Sequence, residues 1–235
     1  MKCIIAIFCI IFCSIFSSLV FAGIIDVEPI RIKLSAKQMQ DSLTISNNSD
    51  ENFVLQVHPM QWTQAAGKDI YSPTTHLLLT PPIILVKAHG KQTLRLALRQ
   101  PPSADHELTY RIYLQQLPHK NVEGLQLTMR FGVPLFVAPT GPIKKNLIWS
   151  ASNHNGVLAI KLNNQSNVHI QVNKLFLKIA GKKASEVVSS YVLPGQILQW
   201  SLKSGKLAPL SNETVHLVAD TDWGDISADV SVKSS

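Results

Sequence analysis

Apolar and polar residues alternate along much of this chain. Between Gly124 and Pro134 it reads Leu125-Gln126-Leu127-Thr128-Met129-Arg130-Phe131-Gly132-Val133, apolar at odd positions and mostly polar at even ones. A period of two is that of a β-strand with one greasy face and one wet face. The same reading predicts strands over residues 24–34, 40–47, 53–62, 77–80, 83–86, 92–98, 108–117 and 125–137. Turn signals separate them, among them Asn47-Asn48-Ser49-Asp50, Ala66-Gly67-Lys68 and His89-Gly90-Lys91. No segment holds a helical period for three turns.

Ala138-Pro139-Thr140-Gly141-Pro142 breaks the pattern, because two prolines and a glycine cannot continue a central strand. Alternation then resumes over 148–149, 157–162, 169–179, 186–193, 198–202, 214–220 and 226–232. Short strands with frequent turns predict an all-β fold of two β-sandwich domains. The expected boundaries are 23–138 for the first, 139–142 for the linker and 143–235 for the second. One larger barrel is the alternative.

The first residues change the picture of where the protein works. Lys2 precedes an apolar run from Cys3 to Ala22 that closes on Val20-Phe21-Ala22. A basic start, an apolar stretch and a small-residue end describe a secretory signal over 1–22, cleaved after Ala22. A membrane anchor is the competing reading, since the run is nearly long enough to span a bilayer. All three cysteines, Cys3, Cys9 and Cys13, lie in that segment. The mature chain then has neither disulfides nor a catalytic thiol, and its cores must hold it. The chain carries 22 Lys and Arg against 15 Asp and Glu. Loss of Lys2 leaves a net charge of about +6, which suits a protein or carboxylate partner better than nucleic acid in an exported chain.

Enzyme chemistry finds little support. No Gly-x-Ser-x-Gly elbow or phosphate-binding glycine loop occurs. The eight histidines lack the spacing of zinc ligands. Asp220-x-Asp222-x-Gly224-Asp225 lacks the later bidentate glutamate of a calcium loop and reads as a β-turn. No metal, cofactor or small-molecule substrate is expected.

Several ordered blocks carry a resemblance. Val27-Glu28-Pro29-Ile30-Arg31 precedes Ser46-Asn47, then Thr80-Pro81-Pro82, Gly90 and Leu94-Arg95-Leu96. The run from Glu107 to Pro118 leads into the alternating strand, which ends Pro134-Leu135-Phe136-Val137-Ala138-Pro139. Leu162-Asn163-Asn164-Gln165-Ser166, Val192-Leu193-Pro194-Gly195 and Asp220-Thr221-Asp222-Trp223-Gly224 follow in the second half. Together these resemble the periplasmic pilus-assembly chaperones of the PapD-like superfamily. Tyr110-Arg111-Ile112-Tyr113-Leu114-Gln115-Gln116-Leu117-Pro118 and Val133-Pro134-Leu135-Phe136-Val137 look most like its archaic or alternative branch. The expected six-residue connection His119 to Gly124 and the lack of cysteines fit that branch's short, disulfide-free loop.

The resemblance implies two immunoglobulin-like domains in an L-shaped arrangement. It implies a periplasmic chaperone that caps pilus subunits one-to-one by lending its G1 strand, then delivers them to an outer-membrane usher. G1 would run over about 125–137, with Leu125, Leu127, Met129 and Phe131 as the donated side chains. Four large apolar side chains entering a groove are worth ~6–12 kcal/mol gross. Read without the resemblance, the same residues pack in the chain's own core. The resemblance further implies a basic cleft that holds the subunit's C-terminal carboxylate. Arg31 matches one member; Pro134 stands where a lysine is usual, leaving Arg111 and Arg130 as candidates for the other. In the archaic or alternative branch the anchor differs, which favours Arg111. Glu107 and Asp222 match the acids that link the two domains, while Ala138 replaces the arginine between them. Thr80-Pro81-Pro82 is a candidate for a cis proline. The alternative function is a two-domain surface or adhesive structural protein.

Overall fold

The computed structural model describes residues 25–118, 125–154, 157–203 and 213–234. The signal expected over 1–22 and the connection 119–124 lie outside them. Every regular element among the described residues is a strand.

The first strands are β1 (Ile25–Glu28) and β2 (Ile32–Leu34), where one strand is expected. They belong to different sheets. Pro29 has no N–H to offer a ladder, and the chain crosses over at this point; the Glu28–Pro29 peptide bond is cis. β1 pairs antiparallel with β3 (Gln40–Asn47), which continues through β8 (Lys91–Leu98) to β6 (Leu77–Thr80). The opposing sheet runs β2, β10 (Arg130–Val137), β9 (Leu108–Gln116), β4 (Phe53–Ala65) and β5 (Lys68–Pro73), with β7 (Ile83–Val86) also on β4. The Thr80–Pro81 bond, between β6 and β7, is also cis.

The inner faces meet in one core that includes Ile32, Leu43, Ile45, Leu55, Leu94 and Ile112, all essentially without solvent contact. β5 is absent from the expected strands because its sequence does not alternate and almost all of it is exposed. It forms because Ala66 and Gly67, both at positive φ (48° and 74°), make the tight turn that returns the chain along β4.

The second half comprises β11 (Leu147–His154), β12 (Val157–Asn164), β13 (Ile170–Ile179), β14 (Lys182–Val192), β15 (Ile197–Lys203), β16 (Thr214–Thr221) and β17 (Ile226–Ser234). Their hydrogen-bonded order is β14-β13-β16-β17-β11-β12-β15. β17 pairs antiparallel with β16 as far as Ser231, then parallel with β11 from Val232. The path thereby folds over its own core, which includes Leu158, Ile160, Val172, Leu175, Val215 and Leu217. The chain is thus two tandem immunoglobulin-like sandwiches.

The halves share a corner device. Asn47 ends β3 and its amide donates to the carbonyls of Glu51 (2.7 Å), Lys87 (3.0 Å) and Val86 (3.3 Å), while Oδ1 accepts from Ser49 N (2.9 Å). Asn164 ends β12 and donates to Val192 (2.8 Å), Val168 (3.0 Å) and Leu193 (3.2 Å), while Oδ1 accepts from Ser166 N (3.0 Å). Both are buried, and each ties together main-chain carbonyls at the end of its strand.

Candidate functional site

The outer face of the β2-β10-β9-β4-β5 sheet holds the three arginines singled out in the sequence. β9 alternates there: Tyr110, Ile112 and Leu114 point into the core, so Thr109, Arg111, Tyr113 and Gln115 point outward. β10 runs beside it with Arg130 opposite Gln115, Gly132 opposite Tyr113, and Pro134 opposite Arg111. β2 lies parallel on the other side of β10, with Ile32 beside Leu135. One residue back along that register puts Arg31 beside Pro134. Arg111, on β9, and Arg31, one residue ahead of β2, therefore stand on the two sides of Pro134, the position where the resemblance leads one to expect a lysine.

The two arginines differ in their commitments. Arg31 Nη1 donates to Asp222 Oδ2 at 2.9 Å, and Nη2 donates to the Gln171 side chain and to the Tyr191 hydroxyl at 3.2 Å. It is tied to the second domain. Arg111 has no carboxylate partner among the described residues. Its Nη1 reaches only Gly132 O at 3.3 Å, its buried Nε has no partner, and its guanidinium lies 4.2 Å over the Trp62 ring. Stacking on tryptophan compensates part of the desolvation of a cation but leaves its hydrogen-bonding edge free. A side chain at Gly132 would meet the Tyr113 ring at 3.0 Å and the Arg111 stem at 3.2 Å, so the glycine makes room for both across β10. Arg130 stands farther up the sheet, 3.8 Å over the Tyr113 ring.

The apolar segment ahead of β10 departs from the expected strand. The sequence predicts strand from 125; the ladder begins at Arg130. Alternation supplies a face but not a neighbour, and in residues 125–129 it is Met129 that reaches β9, its carbonyl accepting from Gln116 N (2.9 Å) and its N–H donating to Gln116 Oε1 (3.1 Å). Leu125 is 91% exposed and Leu127 87%, whereas Met129 and Phe131 pack against the core. The β2 pairing covers only Leu135–Val137, so the edge of β10 over residues 130–134 is unpaired on that side.

The two domains meet beside this cleft. His169, just ahead of β13, is buried between two acids. Its Nδ1 donates to Glu107 Oε2 at 2.5 Å, its main-chain N–H donates to the same oxygen at 2.9 Å, and its Nε2 lies 3.4 Å from Asp222 Oδ2, an ion-pair distance without hydrogen-bond alignment. The imidazole stacks on Phe136 with centroids 3.6 Å apart. Burial is the largest influence on its pKa and acts to lower it. The negative charge of Asp222 at ion-pair distance, together with the hydrogen bond to Glu107 and its charge, outweighs burial, so the His169 pKa rises above the ordinary histidine value. Burial likewise pushes Asp222 up, but His169, the Gln171 N–H and Arg31 together hold its pKa below the ordinary carboxylate value.

His169 is thus the base between Glu107 and Asp222, where Ala138 left none. In the sequence it is one of eight isolated histidines, because both of its acids are remote along the chain. Gln64 is a second contact that the sequence does not reveal. Its Nε2 donates to Tyr191 O at 2.9 Å, and Leu193 N donates to its Oε1 at 3.0 Å, joining β4 to β14. Trp62, Phe136 and Leu193 form a small core of their own between the domains. Among the described residues, no three His, Cys, Asp or Glu side chains come together as a metal-ligand set.

Residues 24–142 match the family model described as pili and flagellar-assembly chaperone, PapD N-terminal domain. The fold resembles a chain in the structure of the CsuC–CsuE chaperone–tip adhesion subunit pre-assembly complex, from archaic chaperone-usher Csu pili of Acinetobacter baumannii. The TM-score is 0.65 at 20% identity, over 91% of this chain and 100% of that one. The YadV chaperone aligns with a TM-score of 0.64 at 19% identity, over 88% and 98% of the two chains. A chain of the Salmonella enterica SafA pilin–SafB chaperone complex aligns at 0.57 and 20%, over 91% and 97%. At these identities the likeness is one of fold. No curated protein matches the chain.

Proposed function

The chain belongs to the pili and flagellar-assembly chaperone family, and we propose that it works in the periplasm, capping an exported pilus subunit one-to-one by donor-strand complementation and delivering it to an outer-membrane usher. It is a binding protein, not an enzyme. Residues 125–137 are the donated segment, with Leu125, Leu127, Met129 and Phe131 as the side chains offered to the subunit's groove. Arg111 is the principal anchor for the subunit's terminal carboxylate. Arg31 is the second, and Arg130 lies nearer the point where the subunit strand enters. Glu107 and Asp222 hold the domains together through His169. The family match leaves the surface or adhesive structural protein without support.

Two leucines stand almost fully in water immediately ahead of a strand whose edge is half unpaired. Exposed alternating apolar residues beside an open edge are costly in a free protein and are what a β-augmenting partner covers. The uncommitted Arg111 lies on the same sheet, where a fixed carboxylate end would set the register of the added strand. The archaic or alternative branch is supported by the alignment with the Csu complex and by this arginine's place on β9.

The test is co-expression with an exported pilin-like subunit encoded nearby. The expected result is a soluble one-to-one periplasmic complex in which the subunit resists protease. A subunit that is degraded equally with and without the chaperone would overturn the proposal.

A further inference from the structure

Tyr191 belongs to the C-terminal domain, at the end of β14, yet its ring sits among N-terminal groups. It stands edge-on to Trp62 at 5.2 Å between centroids, and tilted 5.8 Å from Phe136. The guanidinium carbons of Arg31 and Arg111 lie 5.6 and 5.8 Å from its centroid, so one ring is shared by both cations. Its hydroxyl oxygen accepts a hydrogen bond from Arg31 Nη2 at 3.2 Å. A phenol both accepts and donates. The acceptor side is used, and the hydroxyl proton has no acceptor among the described residues.

The position of the ring is enforced from across the domain boundary. Gln64 binds the Tyr191 carbonyl and the Leu193 N–H together, pinning the main chain on both sides of Val192. A bidentate amide contact of this kind fixes orientation as well as distance. The result is a free O–H donor held beside two arginines, one of which has no acidic partner.

We propose that Tyr191 is a third member of the carboxylate clamp, donating its hydroxyl hydrogen to the terminal carboxylate of the captured subunit. This inference rests on the clamp reading given under Proposed function. A carboxylate has about four acceptor sites; Arg111 can grip two, and Arg31, whose Nη atoms already serve Asp222 and Gln171, does not fill the rest, which leaves room for one more donor. The clamp then spans both domains and is complete only while Gln64 and the Glu107–His169–Asp222 contact hold them in register.

Tyr191→Phe keeps the ring, and with it the contacts to Trp62 and both arginines, and removes only the hydroxyl. The probe is a co-expressed pilin-like subunit in two forms, one with its native C-terminus and one extended by Gly-Gly so that the terminal carboxylate is displaced. Wild-type chaperone is expected to bind the native form more tightly. Tyr191→Phe is expected to lose about tenfold in affinity for the native form and nothing for the extended form. Equal affinity of wild type and Tyr191→Phe for the native form overturns the inference. So does an equal loss on both forms, which would assign the hydroxyl to domain packing. A wild type that does not distinguish the two forms contradicts the clamp itself, and with it this inference.

Discussion

Arg111 stands directly opposite Pro134 in the ladder between β9 and β10, with its guanidinium stacked on Trp62 and no acid beside it. A cation held on a sheet by an aromatic face, whose hydrogen-bonding edge makes only a long bond to the Gly132 carbonyl, suits an anionic partner. Arg31, across Pro134, already serves Asp222. The two substitutions therefore separate. Arg111→Ala is expected to lower subunit affinity by tenfold or more, with the free protein's melting temperature nearly unchanged. Arg31→Ala is expected to lower both, because it also unties the domains. Titration of a purified subunit–chaperone pair beside thermal melts of the free chaperones checks both.

Leu127 has no packing role in the free chain, since 87% of it faces solvent. Leu127→Arg is expected to leave the circular dichroism spectrum and melting temperature unchanged while abolishing subunit capture. Loss of folding would instead place Leu127 in the chaperone's own core.

Gly132 lets the Arg111 stem and the Tyr113 ring cross β10. Gly132→Ala is expected to push both aside and weaken subunit binding several-fold with little effect on stability, since β10 stays paired to β9. Affinity measurement against the same subunit reads this directly.

The domain contact depends on pH in a fixed direction. The folded pKa of His169 is raised, so its contribution is fully present below about 6.5, the unfolded value, and is lost as pH climbs through the folded value. The folded pKa of Asp222 is lowered, so its contribution is present above its unfolded value and is lost as pH falls through the folded one. The groups facing this contact are Glu107, Asp222, Arg31 and His169. Between mildly acidic and alkaline pH, wild type is expected to lose melting temperature relative to His169→Gln. Parallel melts of the two proteins from pH 5 to pH 9 measure it.

Asn164 satisfies three buried carbonyls and one N–H without solvent. Asn164→Ala removes all four partners at once and is expected to cost about 2–4 kcal/mol. Denaturant unfolding of the C-terminal domain's tryptophan signal reads the loss.

Much of this was legible in the chain because alternation reports which face of a strand is buried. Leu43 and Ile45, or Leu158 and Ile160, announce a core wherever they sit. Three features were not legible, each for a physical reason. Pro29 turns one alternating run into two strands of different sheets, and alternation cannot show which sheet a strand joins. β5 is held by its turn and by β4, not by buried side chains, so its sequence carries no period. Residues 125–129 have the pattern of a strand but only a tenuous hold on β9, and a pattern becomes a ladder only when a partner supplies the hydrogen bonds. At the site, Glu107 and Asp222 could be aligned to a family, whereas His169, Gln64 and Tyr191 act through contacts that only the folded chain brings together.

Residues 125–129 are therefore expected to change most between the free and the subunit-bound chaperone. Amide hydrogen exchange over this segment, measured in the free chaperone and in its complex with a pilin-like subunit, reports whether it becomes a strand. Rapid exchange is expected in the free chaperone, with strong protection at alternate amides from Leu125 to Phe131 in the complex. Exchange that is equally fast in both, in a complex shown to be stoichiometric, would contradict donor-strand complementation by this segment.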